Sequence, residues 1–183
     1  MHQSPLRTPR LQLRLLAPED ADALFALMSE PEVMRYFSEP PWGDHARAVE
    51  QIEKDTQAFL DGAYYRFAIE VQATGAMIGT CTLFAIHQQN RRAEVGYALH
   101  PAHWGQGYMA EAMDALLAHA FGTLDLRRLE ADIDPRNTAS AALLHKLGFQ
   151  KEGHLRERWI VGGETSDSDL YGLLRREWRA VSV

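Results

Sequence analysis

The chain has 183 residues, enough for one well-buried core and slightly long for a minimal domain. Its 46% hydrophobic and 24% charged residues are ordinary for a globular protein, and a net charge of −6 argues against non-specific nucleic-acid binding while favouring cationic amines. The single cysteine, Cys81, excludes an internal disulfide and a cysteine-based zinc cluster; with no signal-like or membrane-length apolar run, the expected compartment is the cytoplasm.

Leu11, Leu13 and Leu15 alternate with polar neighbours and predict a first strand. Pro18, Glu19 and Asp20 suit a helix start, with Leu24, Leu27 and Met28 as its buried stripe. An irregular stretch runs from Phe37 to Trp42, and functional contacts concentrate on such loops. Phe37, Trp42 and the later Trp159 could line an acceptor pocket or belong to the core. Asp44 can cap a second helix whose Val49, Ile52, Phe59 and Leu60 face inward. Strands follow at 65–71 and 77–86, and Cys81 reads as a buried small hydrophobe in the second rather than an acylated nucleophile.

A strand at 94–99 then feeds the segment HWGQGYMAEAM, where Gly105 and Gly107 immediately precede a helix with Ala110, Met113, Leu116, Leu117, Ala120 and Phe121 at apolar spacing. Glycine permits close backbone approach, and free amides at a helix start favour anions, so Trp104, Gly105, Gln106, Gly107, Tyr108 and Met109 form a candidate diphosphate cradle. Next come a strand at 129–133 and a helix at 138–147, introduced by Asn137 with Ser140 three residues on and closed by Gly148-Phe149. Strands at 150–161 and 168–174 join across Gly162-Gly163. No repeat or linker interrupts the chain, so residues 1–183 read as one domain. Hairpins followed by strand–helix–strand units predict a mixed α/β sheet.

Together, HWGQGYMAEAM and PRNTASAALLHKLGF resemble the acetyl-coenzyme A-dependent N-acetyltransferases of the GNAT superfamily. Within it, the opening TPRLQLRLLAPEDADALFALMSEPEV and the closing DLYGLLRREW look like the branch that acetylates N-terminal alanines of ribosomal proteins. The resemblance covers about Thr8 to Trp178. It implies an α+β fold with a mostly antiparallel central sheet, splayed between its fourth and fifth strands and flanked by helices. The superfamily loop reads Gln/Arg-x-x-Gly-x-Gly/Ala; Trp104 and Met109 depart from it, and the loop acts through its backbone.

The resemblance also implies acetyl-coenzyme A as acetyl-donor co-substrate, with no metal and direct transfer to an amine acceptor. The pantetheine arm would run past Leu99 toward Asn137 and Ser140. Those two match the family's Asn-x-x-Ser pattern, although both residue types also cap helices well. Leu144 stands where several relatives carry a general-acid tyrosine, so either Ser140 assists the sulfur, as the branch implies, or the thiolate leaves with little help. Glu94 is the first candidate base, against the reading of a strand residue paired to Arg91 or Arg92; Asp132 and Asp134 are its rivals. Lys146 could reach a cofactor phosphate, as could Arg136. His100 and His103 lack further ligands for a metal.

A nicotinamide site is rejected because Ala110 stands where a third glycine is needed, and a triphosphatase loop because no Gly-Lys-Ser/Thr follows. A non-catalytic acetyl-coenzyme A module would not need Glu94 and Ser140. The acceptor implied by the branch is the α-amine of a peptide or ribosomal protein; a polyamine, aminoglycoside or amino-acid analogue remains the alternative. Neither membrane nor nucleic acid is expected as partner, and the chain is expected to be a monomer or homodimer.

Overall fold

The computed structural model describes residues 4–179; the remaining ends of the expected domain, residues 1–3 and 180–183, lie outside them. Eight strands form one sheet: β1 (Leu6–Arg7), β2 (Leu11–Leu15), β3 (Tyr65–Val71), β4 (Ala76–His87), β5 (Arg92–Leu99), β6 (Arg128–Ile133), β7 (Gln150–Val161) and β8 (Glu164–Leu174). Their order is β1-β2-β3-β4-β5-β6-β8-β7, and every pairing is antiparallel except β5 with β6. This is the mixed, mostly antiparallel sheet expected, with β1 added at the edge. The extra strand moves the splayed junction to β5 and β6 without changing its place between the expected strands.

Helices α1 (Ala21–Ser29), α2 (Pro31–Met34) and α3 (Ala46–Leu60) cover one sheet face, while α4 (Tyr108–Gly122) and α5 (Thr138–Lys146) cover the other. Helix α1 buries Leu24, Leu27 and Met28 as its spacing requires, following a 3-10 turn at Pro18–Asp20. On α4, Met113, Leu116, Leu117, Ala120 and Phe121 meet Leu13, Phe67, Cys81, Leu83 and Val95 from the strands. A parallel β5–β6 pair demands a long crossover, and α4 supplies it while burying this apolar stripe.

Helix α3 departs from expectation. Ile52 is buried, but Val49 and Leu60 face solvent and Phe59 is only half-buried. The inward stripe is Ala48, Ile52 and Asp55, rotated because a carboxylate occupies it; Asp55 lies 3.4 Å from the guanidinium of Arg66 on β3. Asp44 does meet the helix start, its Oδ1 accepting from the Ala46 amide at 2.9 Å. Among the described residues no helix is long and apolar enough to cross a membrane.

Candidate active site

Strands β5 and β6 pair only at Arg92↔Arg128, Ala93↔Leu129 and Glu94↔Glu130. Beyond Glu94 each strand is held by a different neighbour: β5 stays on β4 as far as Gly79↔Leu99, and β6 stays on β8 as far as Ile133↔Asp169. The two therefore part, opening a cleft of about 460 Å³. Its walls come from Glu94, Gly96 and Tyr97 on β5, Asp132 on β6, and Asp134, Asn137 and Ser140 beyond it. Tyr36 and Phe37 from the stretch after α2, Phe84 from β4, and Trp159 from β7 line the same cleft. Trp42 does not reach it: the indole is buried between α1 and α3 and donates to Glu39 at 2.9 Å.

Glu94 occupies the last paired position before the strands diverge. Its two neighbouring arginines are taken, Arg91 by Asp125 at 2.7 Å and Arg92 by Glu130 at 2.9 Å. Among the described residues the Glu94 carboxylate has no hydrogen bond or ion pair. Burial raises its pKa above the ordinary glutamate value, and the charges of Glu130 and Asp132 push the same way, against Arg92 and Arg158. The rivals are engaged. Asp134 grips Arg136 at 2.7 Å and accepts from the Arg136 amide at 2.8 Å, so the guanidinium holds its pKa down. Asp132 lies 3.8 Å from Arg158.

Asn137 caps α5, its Oδ1 accepting from the Ser140 amide at 3.0 Å. The Ser140 hydroxyl is 2.6 Å from that of Tyr97, which reaches it from the opposite wall. Leu144, one turn further along α5, is fully buried and carries no hydroxyl. Tyr97 escaped the sequence reading because strand alternation places it with Val95 and Leu99 on the inner face, a pattern that signals packing only.

The glycine turn lies at the end of β5. Gly105 and Gly107 have φ of 72° and 78°, the left-handed region that favours glycine, and Gly107 begins α4 with no side-chain cap. Among the described residues none of the amides from Gly105 to Ala110 has a protein acceptor; the first backbone bond of the helix is Glu111 to Gly107. These orphan donors fit an anionic diphosphate.

The surrounding residues brace this turn. Trp104 Nε1 donates to the Leu99 carbonyl at 2.7 Å and Gln106 Nε2 to that of Ala102 at 3.1 Å. Arg10 donates to the Gln106 carbonyl at 3.0 Å, stacks 4.4 Å from the Tyr108 ring centroid, and pairs with buried Glu111 at 2.6 Å. Arg10 was not foreseen; an acid inside the apolar run of α4 was the signal that a cation must meet it. Met109 turns into the core, and Lys146 is exposed at the far end of α5. The imidazole of His100 accepts from the Ala102 amide at 3.3 Å.

Residues 10–150 match the model of the acetyltransferase (GNAT) domain family. The chain belongs to the GNAT acetyltransferases. It is 42% identical to the uncharacterized N-acetyltransferase p20 of Bacillus licheniformis, over 94% of this chain and 97% of that one. The spermidine N-acetyltransferase of Vibrio cholerae, solved with coenzyme A and spermine, superposes with a TM-score of 0.83 at 26% identity, over 93% of this chain and 98% of that one. The ribosomal L7/L12 α-N-protein acetyltransferase RimL shares the fold with a TM-score of 0.85 at 22% identity, over 93% and 98%. The GNAT architecture accounts for the splayed cleft, and the chain is an acetyltransferase.

Proposed function

We propose that this GNAT protein transfers the acetyl group of acetyl-coenzyme A directly to the α-amine of a peptide or ribosomal-protein N-terminus, in the cytoplasm. The observation that carries the reading is the unpaired Glu94 carboxylate at the branch point of the cleft. The co-substrate supplies an activated acetyl group as a thioester. The amides from Gly105 to Met109 hold its diphosphate, framed by Trp104, Gln106 and Tyr108, and Lys146 serves a phosphate. The edge of β5 at Leu99 and the Asn137 side chain align the pantetheine arm, and Ser140 meets the sulfur.

Glu94 takes the proton of the attacking amine, directly or through one water. An α-amine titrates near ~7.7–8.0 and an ε-amine near ~10.4, so a modest carboxylate suffices for the former at neutral pH. Direct transfer is supported by Cys81, fully buried in β4 with its thiol pushed up by burial, which cannot serve as an acyl carrier. Of the cleft's other acids, Glu39 pairs with Arg47, Asp132 with Arg158 and Asp134 with Arg136, while the Glu164 carboxylate makes no hydrogen bond or ion pair among the described residues. Arg35, Arg66 and Arg136 also line it. The α-amine of a peptide needs one carboxylate partner, and Glu94 at the branch point provides it.

The likeness to the spermidine enzyme motivates the second reading, a small polyamine acceptor. Thiol release measured with free and blocked N-terminal peptides, spermidine and an aminoglycoside at matched concentrations separates the two. Fastest turnover is expected on a free-N-terminus peptide. Faster turnover of spermidine or the aminoglycoside than of every such peptide would defeat the α-amine assignment.

A further inference from the structure

Leu144 leaves α5 without the hydroxyl that could attend a departing thiolate, yet a phenol does reach Ser140. Tyr97 Oη lies 2.6 Å from Ser140 Oγ. The two residues stand on opposite walls, Tyr97 on β5 beyond its parting from β6 and Ser140 in the first turn of α5, which follows β6. Their bond crosses the splay.

Either oxygen can donate in this bond. Each hydroxyl carries one proton, and a buried donor needs an acceptor. Among the described residues Tyr97 Oη has no partner other than Ser140 Oγ. Burial pushes the phenol up to about 12, so it keeps its proton throughout the working pH range. In the arrangement that serves a thiolate from Ser140, Tyr97 donates and Ser140 accepts; the reverse would turn the phenol proton into the cleft instead. The Ser140 amide is already given to Asn137. That leaves the Ser140 hydroxyl proton with no protein acceptor among the described residues, on a side chain that lines the cleft.

We infer that Tyr97 is a positioning residue for thiolate departure: by donating to Ser140 Oγ, it commits the Ser140 proton to the coenzyme A sulfur. The inference rests on the acetyl-transfer reading above. As the amine nitrogen bonds to the carbonyl carbon, the C–S bond breaks and its electron pair goes to sulfur. The proton lost by the amine leaves through Glu94, and the thiolate is held by the Ser140 O–H until it takes up one proton from solvent. A hydrogen bond received by Ser140 polarises its own O–H and strengthens the one it gives. Tyr97 thus assists thiolate departure from the facing strand, through Ser140 and not by contact with the sulfur.

The test titrates the thiol of bound coenzyme A by thiolate ultraviolet absorbance in the wild type, Tyr97→Phe, Ser140→Ala and the double variant, with calorimetry for affinity. Both single variants are expected to raise the pKa of the bound thiol, with the double no different from Ser140→Ala. In turnover, Tyr97→Phe is expected to lower kcat on the order of tenfold, the loss of one hydrogen bond, with KM for acetyl-coenzyme A moving less than about threefold. An unchanged thiol titration in either single variant overturns the inference. So does a double variant whose kcat loss is the product of the two single losses. A wild-type protein that binds no coenzyme A overturns the underlying cofactor reading as well, whereas an unexpected amine preference touches only the acceptor.

Discussion

Glu94 and Glu130 face one another at the last paired position of β5 and β6, and only Glu130 is neutralised. Glu130 is held by Arg92 at 2.9 Å and by Arg128 at 2.7 Å. Glu94 is left beside a like charge, half-buried and with no cation of its own. The place where the strands cease to pair is thus also where a carboxylate is least comfortable ionised. That is the property a general base needs near neutral pH.

Replacing this carboxylate should expose its role directly. Glu94→Gln is expected to lower kcat by ~10²–10⁴-fold while leaving coenzyme A affinity nearly unchanged. Because the base acts when ionised and its pKa is raised, the acidic limb of the wild-type rate profile should fall at a higher pH than an ordinary glutamate gives. The variant should lack that limb. An effect confined to acceptor KM would reassign Glu94 to acceptor positioning.

The same substitution should stabilise the fold at neutral pH. A carboxyl whose pKa is raised by folding binds its proton more tightly in the native state, so native stability falls as pH rises through the interval between the ordinary and the raised values. Glu94→Gln removes that loss. Its melting temperature should exceed the wild type's at pH 7, and the gap should close below the ordinary glutamate pKa of ~4.3. Equal melting temperatures at both pH values would mean that Glu94 is fully solvated.

The glycine turn makes a separate prediction. Gly107 has φ of +78°, and a Cβ there would lie 3.5 Å from Arg10 Nη2. Gly107→Val must strain the turn or move it, disordering amides that have no other partner. Affinity for coenzyme A by calorimetry should fall tenfold or more, about 1.4 kcal/mol, with the circular dichroism spectrum retained. An unchanged Kd would remove the diphosphate from this turn.

Glu111 supports that turn from beneath. Burial raises its pKa, but hydrogen bonds from the Thr8 hydroxyl, the Arg10 amide and the Arg10 guanidinium outweigh it, leaving the net value below that of an ordinary glutamate. The stabilisation is therefore present above ~4.3 and lost as pH falls through the depressed value. Glu111→Ala should cost roughly 1–3 kcal/mol in denaturant melts at pH 7, because the Thr8 hydroxyl and the Arg10 amide lose their acceptor. It should weaken coenzyme A binding too, since Arg10 also holds the Gln106 carbonyl.

The sequence by itself determined the elements whose signal is local. Alternating leucines in β2, the apolar spacing of α4, the paired glycines before it and the Asn137–Ser140 cap each depend on residues within a turn or two of one another, and each is where the pattern placed it. Local signals failed where a distant partner changed the meaning of a residue. Asp55 turned α3 because Arg66 of β3 offers it a cation, exposing Val49 and Leu60. Only the tertiary structure decided the site's chemistry. Asp134 is answered locally, by Arg136 two residues on, but whether Glu94 or Asp132 is unpaired depends on which arginine each meets across the sheet, and Arg158, which answers Asp132, lies on β7 with β8 between them. The Tyr97–Ser140 bond likewise exists only because β5 and β6 part after sharing three residue pairs. Periodicity records which face a side chain turns to, whereas charge neutralisation and hydroxyl pairing depend on what stands opposite, and that is set by the folding of the whole chain.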